Sequence, residues 1–297
     1  MRCHTDDQAG DSSKEFVVAG LLKAPAEKQG EYPVGKFVLC LYRSKEKTWT
    51  NSTVSLNQQQ RQQYGFDFVH ENSKVIVAGG NAGTMGFVDL WWGILFCDVL
   101  QEEGKAIPPL RYVPLPQTRP KKKLRGEARL ARDIAVINGK LKYVELQLHW
   151  KDSVVFRGRR LKDGWRAGTY SRAATSSLEV MWSKDYETDS NYMNFEHDPL
   201  TKHLPKMFND EGMPLPPFKR FHVCQPTLAL DHHGIVYFMM KFNLKDDKAW
   251  VVAVDMKKKV LQAVCPFSAE RNTLIIFAYM HSRISNYLHS HMCLTTS

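Results

Sequence analysis

Several short patterns in the 297-residue chain have residue types that could do chemistry, and each needs particular neighbours to do it. His289-x-His291-x-Cys293, the pair His222-x-Cys224 and the doublet His232-His233 offer imidazole and thiolate, the groups zinc prefers. A structural zinc takes four such ligands, and no fourth stands near the C-terminal three, so these read as tail and turn residues. Gly79-Gly80-Asn81-Ala82-Gly83-Thr84-Met85-Gly86 has the glycine density of a phosphate-wrapping loop. Such a loop must open a helix whose first N–H groups face the anion. Here Phe87-Val88-Asp89-Leu90-Trp91-Trp92 follows, a strand pattern, and the glycines predict a hairpin turn. No Gly-x-Ser-x-Gly elbow is present, and no cysteine has an evident His/Asn context. The sequence therefore predicts no catalytic, cofactor-binding or metal-ligating residue, and a protein that is not an enzyme.

Two groups of residues point instead to binding. Residues 119–172 carry 16 Lys/Arg against 5 Asp/Glu, whereas the flanking stretches are close to neutral, so this segment holds all of the net charge of +10. Its densest part is Arg119, Lys121, Lys122, Lys123 and Arg125, preceded by Pro114 and Pro116, interrupted by Pro120 and expected to be an exposed loop. Three uses of that loop are open. It has the closely spaced cations that a nuclear-import receptor reads on an extended peptide. It could contact nucleic-acid phosphates together with Arg157, Arg159, Arg160 and Arg166, or it could be a solvated surface. The second group is Trp91 and Trp92, either packing residues of a strand or an aromatic interaction anchor. Alternation on a strand would send one indole inward and the other outward.

The elements that must position these residues are strands. Asp133-Ile-Ala-Val-Ile-Asn138-Gly139-Lys-Leu-Lys-Tyr-Val144 sets two β-formers about Asn-Gly, the signature of a type I′ hairpin. Further hairpins are predicted over 37–54, 227–242 and 250–264. The run from Ile94 through Asp98 to Pro116 and the run from Val251 through Asp255 to Pro266 share one layout: an apolar strand ending in Asp, a turn, and a strand closed by proline. The two aspartates are expected to cap their hairpins. Recurrence of this layout predicts a mainly β, propeller-like fold of repeated antiparallel hairpins. Helix is expected only near the C-terminus, where Ile276, Met280, Ile284 and Tyr287/Leu288 recur at three- to four-residue spacing. Gln58–Gln63, polar throughout, reads as a loop or short turn. The chain then divides into a disordered polar leader (1–14), a β-rich domain (15–272) and a C-terminal helix and tail (273–297).

Composition excludes other classes. At 43% hydrophobic and 24% charged residues, the chain is too apolar for wholesale disorder. Its longest uncharged apolar runs, 90–97 and 274–280, fall far short of the roughly 20 residues of a membrane helix. No secretory signal is visible, and the six scattered cysteines lack disulfide spacing, which predicts an intracellular protein in cytoplasm, nucleus or both.

The block Gly86-Phe-Val-Asp-Leu-Trp-Trp-Gly-Ile-Leu-Phe-Cys-Asp-Val-Leu100 with Leu110-Arg-Tyr-Val-Pro-Leu-Pro116 resembles the plant domain-of-unknown-function family 1618, which is expanded in grasses. Asp133–Val144, Trp250–Met256 and Tyr279–Leu288 resemble later motifs of that family, and the likeness runs over about 15–288. It implies a β-rich domain akin to those attached to F-box proteins and no established activity. The expected function is a non-catalytic protein-interaction scaffold with a protein partner, no cofactor and no membrane. The alternative is a nuclear, nucleic-acid-associated protein using the 119–172 surface.

Overall fold

The computed structural model describes residues 2–4, 15–26, 33–64, 68–100, 107–116, 118, 126–156, 159–174, 180–193, 199–205, 212, 221–231, 234–242 and 247–268. They form four antiparallel sheets of four strands each, every one a meander in chain order. The first holds β1 (Arg2–His4), β2 (Phe16–Lys23), β3 (Lys36–Arg43) and β4 (Thr48–Ser55). The second holds β5 (Lys74–Gly79), β6 (Thr84–Asp89), β7 (Gly93–Asp98) and β8 (Arg111–Pro114). The third is β9 (Arg132–Ile137), β10 (Lys140–Phe156), β11 (Arg159–Ala173) and β12 (Ser183–Asp189); the fourth is β13 (His222–Leu228), β14 (Ile235–Lys241), β15 (Lys248–Asp255) and β16 (Val260–Ser268). The mainly β expectation holds, and every predicted hairpin is present. No helix among the described residues is long and apolar enough to cross a membrane.

Side-chain pattern places each sheet. In β2 and β3 buried and half-buried residues alternate, so the first sheet is dry on one face. Strands β6 and β7 are buried almost without interruption, because the second sheet has a neighbour on each side. One apolar core joins Phe37, Leu39 and Leu41 to Met85, Phe87 and Leu95 of the second sheet. Another joins Val88, Ile94 and Phe96 to Ile134, Leu141 and Tyr143 of the third. The last joins Val144, Leu146 and Trp165 to Phe238, Val252 and Val254 of the fourth. Burying each such side chain contributes about 1.5–3 kcal/mol, so these interfaces carry most of the drive to fold.

The first strands of successive sheets also meet. Asp133, in β9, accepts from Lys74 Nζ of β5 at 2.6 Å and from the Leu228 backbone N–H of β13 at 3.1 Å. One carboxylate thus ties three sheets together.

Turn chemistry follows the sequence at Asn138-Gly139, whose φ values of 49° and 69° are those of a type I′ turn. Asp255 caps its hairpin as expected, with Oδ1 accepting from the N–H groups of Lys257 and Lys258 at 2.9 Å. Asp98 does not. The connection after it is long, and its Oδ1 instead accepts from Thr84 Oγ1 (2.6 Å) and Arg111 Nη2 (2.9 Å), on the two strands that flank β7. The true counterpart of the Asp255 turn is Arg43–Thr48: each has a backbone bond from a lysine N–H back to the residue four before, with that lysine (Lys47 or Lys259) at positive φ.

Three expectations need correction or placing. Gln58–Tyr64 is a helix, α1, and not a loop. Asn57 Oδ1 caps it by accepting from the Gln60 N–H at 2.8 Å. Gln60 is buried, its side-chain amide donating to the Tyr112 carbonyl (2.8 Å) and accepting from the Tyr112 N–H (3.0 Å). A glutamine thereby completes the free edge of β8 as a further strand would. Within the supposed leader, Arg2–His4 pairs with Phe16–Val18. The C-terminal helix and the histidines at 232–233, 289 and 291 lie outside the described residues.

Candidate functional site

The indoles singled out in the sequence sit on a turn, not within a strand. Asp89, Leu90, Trp91 and Trp92 make the tight connection from β6 to β7, closed by a bond from the Trp92 N–H to the Asp89 carbonyl at 3.1 Å. The buried Asp89 carboxylate holds that turn, Oδ1 accepting from the Trp91 N–H and Oδ2 from the Glu71 N–H, both at 2.8 Å. Burial pushes its carboxyl above the ordinary range, and these N–H donors oppose the shift. Gly93 is obligatory next, because a Cβ there would lie 2.5 Å from the Tyr112 ring. Strand alternation, which would have put one indole in and one out, does not apply on a turn, and both are half-buried.

Beneath the turn lies a buried charge cluster that sequence reading missed. The Arg132 and Glu145 side chains are 1% and 2% exposed, with Nη2 3.3 Å from Oε2. Arg132 Nη1 also donates to the carbonyls of Leu90 and Trp91, each at 3.0 Å, and its guanidinium stacks 4.9 Å from the Trp91 ring centroid. Glu145 Oε2 accepts from the Tyr143 hydroxyl at 3.2 Å. Burial drives the Tyr143 phenol well above its usual range, so it remains a donor at every ordinary pH. The cluster draws on both sheets: the turn belongs to the second, Arg132, Tyr143 and Glu145 to the third. Inward-pointing Arg132 and Glu145 face each other across β9 and β10 in register, and that pairing was the only signal in the sequence.

Residues 119–125 lie outside the described residues, and described residues on both sides of them meet this cluster. Leu115 N–H donates to the Trp92 carbonyl at 3.0 Å, and Thr118 Oγ1 donates to Glu145 Oε2. On the return, Trp91 Nε1 donates to the Gly126 carbonyl at 3.1 Å. A third indole joins them: Trp182 Nε1 donates to the Pro114 carbonyl at 2.9 Å, beside Met181, which is 82% exposed. The structure therefore places Leu115, Thr118 and Gly126, which flank the segment 119–125, beside the tryptophan turn.

Other cations of the basic segment are engaged. Arg166 Nε lies 3.2 Å from Asp189, Lys142 Nζ lies 2.9 Å from Asp185, and Arg172 is buried with its guanidinium 5.9 Å from the Trp182 ring. The side chains of Arg157, Arg159 and Arg160 are not among those described. A small crevice between the third and fourth sheets is lined by Lys142, Thr169, Asp185 and Ile235, and Ser171 Oγ donates to the same Asp185 at 2.6 Å. Its polar groups hold strands rather than an open reactive position. No group of three or more metal-binding side chains occurs among the described residues. The Cys97 thiol, pushed up to about 12 chiefly by burial, is a packing residue.

The family model for the protein of unknown function DUF1618 matches residues 87–237, just over half of the chain. The chain belongs to the DUF1618 family. The match begins in β6, takes in the tryptophan turn and the Arg132–Glu145 cluster, and ends in β14; the later motifs at 250–256 and 279–288 lie beyond it. No curated protein and no solved structure matches the chain.

Proposed function

We propose that this DUF1618 protein is a non-catalytic interaction scaffold whose four sheets are successive blades of a propeller-like array, similar to the F-box-associated β domains. Its recognition surface is the rim formed by Trp91, Trp92, Trp182 and Met181. The carrying observation is the tryptophan turn itself, half-exposed yet fixed by Asp89, Arg132 and the residues flanking 119–125. Rigid indoles beside an exposed methionine are the anchors that protein interfaces favour, since little entropy is lost on binding. The blade reading is supported by the meander order of every sheet and by Asp133, which draws together the first strands of three of them. In a radial array the first strands line the axis and the remaining strands fan outward.

The alternative, a nuclear nucleic-acid-associated protein using the 119–172 surface, has less support, because Arg132, Lys142 and Arg166 are held by carboxylates. Any phosphate contact would fall to cations outside those pairs, such as those at 119–125 and at 157–160, and its affinity would drop steeply with salt.

Quantitative capture from cell extract tests the scaffold reading. Wild type is compared with Trp92→Ala and Met181→Ser, each first shown to keep its melting temperature within a few degrees. The expected result is a defined set of proteins depleted at least fivefold by both variants. Identical capture by all three chains would overturn the proposal.

A further inference from the structure

Each sheet ends, in chain order, on an edge strand, β4, β8, β12 or β16, and three of these are guarded against adding a strand from another chain. Gln60 fills the open edge of β8, which ends in Pro114. Strand β12 carries Lys184, Asp185, Glu187 and Asp189 and pairs with a register shift. Strand β16 contains Pro266 and also pairs with a register shift. Charge, proline and bulges are the usual means of keeping a sheet edge unpaired. Strand β4, Thr48-Trp-Thr-Asn-Ser-Thr-Val-Ser55, has none of them, and its pairing with β3 is unbroken over all eight residues. The backbone shows which of its groups are left over. The Leu56 N–H donates to the Gly35 carbonyl on the β3 side, and the Ser55 carbonyl accepts from the Leu110 N–H on the other. Alternate residues of a strand share a side, so the N–H and carbonyl groups of Trp49, Asn51 and Thr53 all point away from β3. Among the described residues none of these groups has a hydrogen-bond partner, and all three residues are exposed.

We propose that β4 is a self-pairing edge: two copies of the chain join β4 to β4, antiparallel about a two-fold axis at Asn51, into one continuous sheet. A strand paired with itself must meet its own side chains, and β4 is neutral throughout, so no like charges stand opposite each other. The free run is closed at one end by the turn Arg43–Thr48 and at the other by Leu110, which occupies the edge at Ser55. It is symmetric about Asn51, which is what a second copy matches. Antiparallel pairing uses the whole run in one register, Asn51 opposite Asn51 and Trp49 opposite Thr53, and every free N–H then faces a free carbonyl. Trp49 is 60% exposed, with its ring 5.5 Å from that of Tyr42. That register sets it across from Thr53 of the second copy, and an aromatic beside a β-branched residue is a pair that stabilises sheets. A two-fold contact of this kind closes on itself, so association stops at a dimer.

Sedimentation velocity of the full chain from about 1 to about 200 μM tests the proposal, and the expected result is a reversible monomer–dimer equilibrium. Asn51→Lys sets two ammonium groups opposite each other at the axis and should raise the dissociation constant at least tenfold. Tyr192→Lys, which adds the same charge on the turn after β12, should leave it within twofold. Cysteine trapping reads the register in a Cys40→Ser, Cys265→Ser background. Paired Cα atoms at position 51 stand roughly 5.5 Å apart, within disulfide reach, whereas two copies of position 49 or of position 53 stand roughly 14 Å apart. Asn51→Cys should therefore form an interchain disulfide at least tenfold faster than Trp49→Cys or Thr53→Cys alone, and an equimolar mixture of the last two chains should crosslink where neither does by itself. A monomer at every concentration, a dimer indifferent to Asn51→Lys, or trapping with no preference for position 51 would each overturn the proposal.

Discussion

Replacing Glu145 by alanine would leave the Arg132 guanidinium charged and buried against the Leu90–Trp91 turn with its carboxylate gone. Removing one member of a buried pair typically costs about 3–5 kcal/mol. Glu145→Ala is therefore expected to lower the urea midpoint sharply, whereas Arg166→Ala, which breaks a half-exposed pair with Asp189, should cost less than about 1 kcal/mol. Comparable losses in urea unfolding would mean that the cluster does not lock the second sheet to the third. His70 makes a different prediction at the same scale. It is 2% exposed between Phe37, Phe68 and Tyr112, and burial lowers its pKa to about 4, with Lys23 acting in the same direction. The unfolded chain takes up this proton near pH 6.5 and the folded chain only near 4, so stability is full above 6.5 and falls as pH drops toward 4. The loss from this group is about 3 kcal/mol. His70→Phe should remove most of that slope from pH-dependent melting, and an unchanged slope would contradict the assignment.

At the scale of elements, α1 is seven residues long, too short to be stable by itself, and it persists because Gln60 is joined to the peptide of Tyr112. Gln60→Ala strands a buried N–H and carbonyl and should cost about 2 kcal/mol, with faster hydrogen exchange along β8. Loss of helix signal with no change in β8 exchange would show the two elements to be independent. Sequence reading missed α1 because a run of glutamines has no apolar stripe; the contact that fixes it is a hydrogen-bonded one, 52 residues away. The hairpins were legible for the opposite reason. Asn138-Gly139 and the β-branched runs around it are local signals, and local sterics decide such turns. Asp98 and Asp255 look alike in sequence, but the length of the connection that follows decides whether an aspartate caps a turn or reaches sideways to Thr84 and Arg111. Trp91 and Trp92 were legible as a feature and misplaced by one element, since the uninterrupted apolar run hid the turn that Asp89 makes.

Over the whole molecule, four meander sheets in chain order share three apolar cores, and the tryptophan turn stands where the second and third sheets meet. Charge patterning along the chain marked the same region, because Thr118 and Gly126, on either side of the dense cluster 119–125, both meet that junction. The inward use of Arg132 and Glu145 could not be read from charge alone, since an arginine in a basic segment looks like surface until its partner strand is known. The central functional claim is that this junction contacts a protein partner. Site-specific photo-crosslinking tests it most directly, with benzoylphenylalanine placed at position 92 in one chain and, as a control, at position 260 on β16 in another. The scaffold account predicts discrete, nuclease-resistant protein adducts at position 92 and few or none at 260. Equal adduct yields at the two positions, or adducts at 92 that nuclease removes, would contradict it.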